Sequence, residues 1–187
     1  MSSIYELLSQ RNSAPRLTEP APDEQTREAM YRAAVRAPDH AWLQPWRFIE
    51  IEGAARDALG RVFRTSLLAS QPDADEAACT KAANAPLRAP LLVTVVCRVQ
   101  EHPKVPREEQ LISTGCAAHA MLLAAEAGGF AGIWRTGSYA LDPIVTEALG
   151  LSDDEEIVGF LYFGSRDGAP KKLPEREIDK YVSRWDP

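Results

Sequence analysis

Residues 89–99, APLLVTVVCRV, are the stretch of sequence that decides the fold. From Leu91 to Cys97 the side chains are apolar or β-branched without interruption. Such a run is typical of a β-strand whose two faces are both buried. We therefore expect this segment to be a strand with no face open to solvent.

Further strands and helices are predicted on both sides of this segment. Strands are expected at 46–53 (WRFIEIEG), 130–137 (FAGIWRTG) and 155–165 (EEIVGFLYFGS), which makes about four in total. Helical patterns occupy 3–10, 20–38, 54–70, 73–84, 107–129 and 142–150. Asp23 and Asp142 are candidate N-caps, Pro143 suits a first helical position, and Gly128 and Gly129 suit a C-terminal stop.

The longest predicted helix, at 107–129, is rich in alanine and apolar over nearly its whole circumference. A helix of this kind is buried in a core or in an oligomer interface. Together with the predicted strands it indicates an α+β protein. The length of 187 residues suits a single domain spanning 1–187.

Composition limits the classes of partner. Apolar residues make up 45% and charged residues 26% of the chain, as in soluble globular proteins. The net charge of −6 argues against nucleic acid, whose phosphates require a basic surface. No apolar run reaches the roughly 18 residues of a membrane span.

The three cysteines, Cys79, Cys97 and Cys116, include no CxxC pair. An odd number without metal-ligand spacing argues against a disulfide framework or a zinc site. We expect all three to be small buried thiols. With no secretory signal in the sequence, they indicate a reducing cytoplasm.

Motifs of hydrolases and of dinucleotide-binding loops are absent from the sequence. There is no GxSxG, HExxH or GxxxxGK[ST] pattern. His119 is expected to be packed or capped within the long helix, and His102 to lie in a solvent loop. The glycines at 128–132 follow a helix and precede a strand, which suits a helix cap rather than a phosphate loop.

A scattered set of cations and loop donors remains. Each member alone is best explained as a solvated surface group, whereas the set would suit a flat anionic cofactor. The set comprises Arg11, Ser13, Arg16, Arg36, His40, Arg135, Thr136, Gly137, Lys171 and Lys172.

Five stretches in order resemble the nitroreductase family of FMN-dependent oxidoreductases, in particular its short bacterial NAD(P)H nitroreductases. They are 7–17 (LLSQRNSAPRL), 32–53 (RAAVRAPDHAWLQPWRFIEIEG), 84–97 (NAPLRAPLLVTVVC), 104–137 (KVPREEQLISTGCAAHAMLLAAEAGGFAGIWRTG) and 157–164 (IVGFLYFG). The resemblance implies an α+β fold with a central mixed sheet wrapped by helices. It also implies a homodimer with FMN at the subunit interface, where the helix at 107–127 would lie.

The resemblance also implies site residues. FMN would contact Arg11, Asn12 and Ser13 of one subunit and Trp134, Arg135 and Thr136 of the other. Arg36 and His40 would contact it from either subunit, and Gly137 is a further contact. Arg11 would lie near the flavin N1–C2=O side, and the loop at 136–137 would donate near N5. NAD(P)H would contact Ala124, Ala125, Glu126, Ala127, Gly128 and Gly129.

The activity implied is electron transfer from NADH or NADPH through FMN to a nitroaromatic compound, a quinone or a related small acceptor. Trp42 would line the substrate cleft, although core packing is an equal alternative for it. A non-catalytic flavin-binding or dimeric interaction protein on the same fold remains an alternative. So does a relative acting on a different bond, such as an ene or a halogenated ring.

The sequence departs from the family pattern at two places. APDHAWLQPW stands where many members have APSSxNxQPW, so Asp39 and His40 replace serines and Trp42 replaces asparagine. Asn12 replaces the second arginine of an RRS opening, and Lys171 or Lys172 would substitute for the missing phosphate cation.

Overall fold

The computed structural model describes residues 4–186 and contains one five-stranded sheet. The strands are β1 (Leu17–Thr18), β2 (Trp46–Glu52), β3 (Leu91–Arg98), β4 (Ala131–Arg135) and β5 (Glu155–Arg166). β3 pairs with β2 and β5, while β4 and β1 pair with β5. Every pairing among the described residues is antiparallel, so the expected mixed sheet is wrong. The short β1 was missed because two residues carry no periodic pattern.

β3 confirms the expectation of a strand buried on both faces. All residues from Leu91 to Cys97 are buried, and only Arg98 is exposed. Leu92 packs in one apolar cluster and Val93 in the other, because successive side chains of a strand point to opposite faces. The run of apolar residues therefore serves two cores at once.

Six α-helices are present among the described residues. They are α1 (Ile4–Gln10), α2 (Glu24–Ala34), α3 (Ala54–Ser70), α4 (Glu76–Ala83), α5 (Arg107–Ala127) and α6 (Pro143–Ala148). Asp23 and Asp142 cap their helices as predicted, accepting backbone N–H bonds of 2.8 Å from Thr26 and Ile144. Asp75 caps α4 in the same way, which starts this helix three residues later than expected.

The two cores lie on opposite faces of the sheet. On one face α2 and α5 pack through residues such as Met30 and Met121. On the other face α3 and α6 pack through Phe63 and Val145. The α+β class and the wrapping of the sheet by helices are thus confirmed, although the strands pair antiparallel throughout the described residues.

One side of α5 faces outward in the single chain. Ile112, Cys116 and His119 are exposed there, at helical spacing. The expectation that Cys116 is a buried thiol and that His119 is packed in the core is therefore wrong for this chain, whereas Cys79 and Cys97 are buried. The apolar circumference had suggested burial, but the elements that α5 contacts, which are the sheet, α2 and α1, leave this side uncovered.

Within residues 4–186, no helix combines the length and the apolar character that crossing a membrane requires.

Candidate functional site

The end of β4 opens into a cavity of about 580 Å³ that we call the Arg135 pocket. Arg135, Thr136 and Gly137 line it, so three of the residues predicted to contact the cofactor lie at one cavity. Its charged lining residues are all cations, since Lys81 and Arg88 join Arg135. The remaining lining is Phe63, Leu67, Ala78, Ala82, Ala85, Tyr139, Phe160 and Tyr162.

Aromatic rings form a rigid wall of the Arg135 pocket. Phe63 stacks on Tyr139 with ring centroids 4.0 Å apart, and it meets Phe160 edge-on at 5.6 Å. The guanidinium carbon of Arg135 lies 5.9 Å from the ring centroid of Tyr162, within the range of a cation–π contact. Burial raises the pKa of Tyr162, so this ring stays neutral beside the cations.

Arg135 has hydrogen-bonding capacity that the protein does not use. Its Nε atom is buried and has no hydrogen-bond partner within the described chain. A buried donor without a partner is costly, so it marks a position where a polar ligand is favourable. Sequence reasoning did not find Lys81 and Arg88, because α4 and the turn after it carry no motif that links them to β4.

Trp134 lies on the opposite face of β4 from Arg135, because neighbouring side chains of a strand alternate. Its indole rests directly on Gly159 of β5, where a Cβ would collide with the ring. The indole Nε1 donates to Thr136 Oγ1 at 3.2 Å. Trp134 therefore fixes the start of the loop that lines the pocket, rather than lining it.

A second cavity, of about 650 Å³, brings together Asn12, Glu126, Lys171 and Lys172. We call it the Lys171 pocket. It joins predicted residues from three distant parts of the sequence. Both lysines are exposed, as is most of the chain after residue 166.

Arg166, which sequence reasoning missed, holds Asn12 in place. Its guanidinium donates to Asn12 Oδ1 at 3.1 Å and to the Asn12 carbonyl at 3.2 Å. It also pairs with Glu126 at 3.5 Å, and its side chain is only 15% exposed. An arginine is thus present beside the position where many family members have their second one, although it comes from the end of β5.

Residues 38–45, which we call the His40 loop, connect α2 to β2. Ala41, Trp42 and Gln44 have positive φ angles of 63°, 57° and 48°. Non-glycine residues rarely adopt this conformation, and they cluster at functional sites. Trp42 is 80% exposed, which excludes the alternative that it belongs to the core of this chain.

Apart from Glu126, the remaining predicted residues do not line either of these cavities. Arg11 and Ser13 are half-buried after α1, and Arg36 is exposed after α2. His40 Nδ1 lies 2.9 Å from Glu109 on the first turn of α5. In the segment Ala124–Gly129, Ala125 is fully buried and Gly128 ends the helix, so Glu126 is the member that lines a cavity.

The Arg135 pocket lies beside the middle of β5, and the Lys171 pocket lies near its C-terminal end. Phe160 lines the Arg135 pocket, while Arg166 holds Asn12 beside the Lys171 pocket. The six residue steps from Phe160 to Arg166 span about 20 Å of extended strand. A ligand that used both cavities would therefore have to be long, with an aromatic end and an anionic end.

Two comparisons with known sequences indicate the same protein family. The profile described as “Nitroreductase family” matches residues 8–165. The chain is 49% identical over 160 residues to the Escherichia coli K12 protein named “Putative NAD(P)H nitroreductase YdjA”, which covers 86% of each chain.

Solved structures show the same fold. A nitroreductase-like family protein from Bacillus cereus superposes with a TM-score of 0.83 at 23% identity, covering 98% of this chain and 96% of that one. A nitroreductase with bound FMN from Bacteroides fragilis NCTC 9343 superposes with a TM-score of 0.74 at 19% identity, covering 100% of both.

Proposed function

Because the chain belongs to the nitroreductase family, we propose that it is an FMN-dependent oxidoreductase using NADH or NADPH. Its acceptor is a nitroaromatic compound, a quinone or a related small molecule. A bound flavin supplies the chemistry, since it accepts a hydride from the nicotinamide and passes the electrons on. The relative named as an NAD(P)H nitroreductase and the structural neighbour with bound FMN support this proposal.

The observation that carries the proposal is the unpaired, buried Nε of Arg135. It lies in a pocket whose wall is aromatic and whose charged groups are cations. A flat ring with polar edges that gains negative charge on reduction suits this environment. Arg135 and Arg88 are candidates for the cation beside N1–C2=O, a role that the resemblance gave to Arg11.

The loop after β4 supplies the donors toward the ring. Gly137 has a φ of 66°, which turns the chain at the pocket wall. The Trp134–Thr136 bond and the packing of Tyr139 on Phe63 hold this loop from both sides. We assign the contact near N5 to the backbone of Thr136 and Gly137.

The Lys171 pocket is our candidate for the phosphate end of the cofactor. Lys171 and Lys172 bring positive charge to Asn12, where the family's second arginine is missing. Phosphate groups are bound by lysine and arginine side chains and by backbone N–H groups. Two carboxylates, Glu126 and Glu175, also line this cavity, and Arg166 pairs with Glu126 at 3.5 Å.

A second copy of the chain completes the proposed site. The outward side of α5, with Ile112 and Cys116, offers an apolar surface to a partner subunit. Arg36 and His40 would then reach the flavin from the partner, as would Trp42 at the cleft. We place the dimer in the reducing cytoplasm, in keeping with three unpaired thiols.

A direct test of the proposal is the visible spectrum of the purified protein, with and without NAD(P)H under anaerobic conditions. We expect a yellow protein whose flavin bands bleach on reduction and return when a quinone is added. A colourless protein that does not take up FMN would overturn the proposal. A yellow protein that NAD(P)H never bleaches would favour the non-catalytic flavin-binding alternative.

The role of Arg135 is tested by Arg135→Met, with Arg61→Met on the exposed side of α3 as the matched control. Loss of charge-assisted hydrogen bonds should weaken FMN binding by about tenfold or more in the first variant. FMN fluorescence titration measures the affinity. Equal affinity in both variants would remove Arg135 from the site.

A further inference from the structure

The His40 loop is held in its unusual conformation by polar contacts along its whole length. Asp39 Oδ2 accepts from the backbone N–H of Gln44 at 2.9 Å, across the three positive-φ residues. The carbonyl of Pro38 accepts from the hydroxyl of Ser113, and that of Pro45 accepts from Arg98 N at 2.6 Å. Strained residues persist only where their surroundings determine them in this way.

Besides the contact of His40 with Glu109, one side chain from outside the loop holds its middle. Gln100 Nε2 donates to the carbonyl of Leu43 at 2.7 Å, and Leu43 lies between Trp42 and Gln44, both in the left-handed region. Gln100 belongs to the connection from β3 to α5, so the loop is tied to a part of the chain 57 residues away.

Gln100 is itself clamped by Gln110 of α5. Gln110 is only 2% exposed, and its Oε1 accepts from Gln100 N at 2.9 Å. Its Nε2 donates to the Gln100 carbonyl at 2.8 Å. Both polar atoms of this buried amide bond to the backbone of Gln100, and Nε2 also donates to the Val105 carbonyl at 3.4 Å. The Gln100 side chain is then free to reach Leu43.

We propose that Gln110 and Gln100 form a relay of positioning residues that sets the place of Trp42 and, through it, the width of the acceptor cleft. This inference rests on the proposed oxidoreductase function. Neither glutamine needs to touch the cofactor or the acceptor. The relay acts through the hydrogen bond from Gln100 to the Leu43 carbonyl, and Trp42 is joined directly to Leu43.

The relay predicts a change in selectivity rather than a general loss of activity. A loop that is fixed in place discriminates between acceptors by size, because a wide acceptor must fit beside an indole that cannot move away. When the loop becomes more mobile, the Trp42 indole can move aside, and the discrimination between acceptors by size decreases. General destabilisation would lower the rates for narrow and wide acceptors alike.

The test uses Gln100→Met, which keeps the side-chain length and removes the donor to Leu43. Gln71→Met, at the exposed end of α3, is the matched control. Amide hydrogen exchange on the apoprotein should be about fivefold faster in the peptide covering 38–46 in the first variant only, as expected from losing one hydrogen bond. The peptide covering β3 should exchange as in the unaltered protein.

Steady-state kinetics of the FMN-loaded protein provide the second readout. The ratio of kcat/KM for a one-ring quinone to that for a two-ring quinone should fall by about fivefold in Gln100→Met and stay constant in Gln71→Met. Unchanged loop exchange would overturn the relay, and faster exchange with an unchanged ratio would overturn its role in selectivity. An unaltered protein that binds no FMN and reduces neither quinone would instead overturn the proposed function, and the selectivity role with it.

Discussion

β3 and the His40 loop are neighbours, joined by the bond from Arg98 N to the Pro45 carbonyl, yet opposite kinds of interaction hold them in place. Each fully buried aliphatic side chain of β3 contributes roughly 1.5–3 kcal/mol through removal of apolar surface from water. Each left-handed residue of the loop costs about 1–3 kcal/mol, which a few hydrogen bonds of about 1 kcal/mol must offset.

Burial in β3 mainly stabilises the fold, whereas the hydrogen bonds of the His40 loop mainly position side chains. In β3 many similar contributions add up, so the strand persists when one is weakened, but each loss lowers the stability of the whole protein. In the loop each anchor holds a particular residue, so losing one moves a side chain and leaves the folded state intact. Substitutions in the two regions should therefore affect different measurements.

The largest effect on stability is expected for Leu92→Ala in β3. Leu92 is fully buried between β2 and β5, so its truncation leaves a cavity and should lower the free energy of unfolding by about 2–5 kcal/mol. Leu141→Ala is the matched control, since Leu141 is 84% exposed and should change stability by less than about 0.5 kcal/mol. Urea unfolding measures both, and similar values would contradict the assignment of β3 as the centre of the core.

An intermediate effect is expected for Glu155→Gln, where β5 begins. Arg47 donates to both carboxylate oxygens of Glu155 at 2.7 Å, and Arg98 adds a contact at 3.2 Å. The hydrogen bonds from Arg47 lower the pKa of this buried carboxyl from 4.5 to about 2. Removing its charge should cost roughly 2–3 kcal/mol at neutral pH.

The direction of the pKa shift determines how this stabilisation changes with pH. Because the pKa is lower in the folded state, the stabilisation is fully present above about 4.5 and is lost as the pH falls toward 2. The unaltered protein should lose this stability over that window, while Glu155→Gln should lose less. Glu147→Gln, on the exposed side of α6, controls for the change in net charge. Parallel pH curves for Glu155→Gln and the unaltered protein would show that the cluster does not act as described.

The smallest effect on stability, and the clearest effect on function, is expected for Trp42→Ala in the His40 loop. An 80% exposed indole contributes little to the core, so the free energy of unfolding should change by less than about 0.5 kcal/mol. Acceptor preference should change more than FMN affinity, as steady-state kinetics and fluorescence titration would show. A large loss of stability would mean that Trp42 is packed against something in solution, and the contrast with β3 would fail.

The same contrast explains what the sequence could predict. The strands, the capped helices and α5 follow from periodic burial and from single capping residues such as Asp23 and Asp142, which are local properties. β1 is too short for a pattern, and the pairing of strands depends on how the helices cover the sheet. Arg166, Lys81 and Arg88 entered the candidate site through contacts between distant elements, which no spacing in the sequence reports. The sequence predicted that Trp42 lies in a loop. Its exposure could not be predicted, because Gln100 and Ser113, which bond to the backbone of this loop, are distant in the sequence.

The contact between Trp134 and Gly159 constrains the order in which this protein can change. A side chain at 159 larger than hydrogen collides with the indole, so it is accepted only after Trp134 has become smaller. Replacing Trp134 first leaves a gap that a larger residue at 159 can then fill. The two positions are therefore epistatic: substitution of Gly159 is tolerated only after Trp134 has been replaced, whereas Trp134 can be replaced first. In a laboratory evolution experiment aimed at the pocket loop, variants at 159 should emerge only on backgrounds that have already lost the tryptophan.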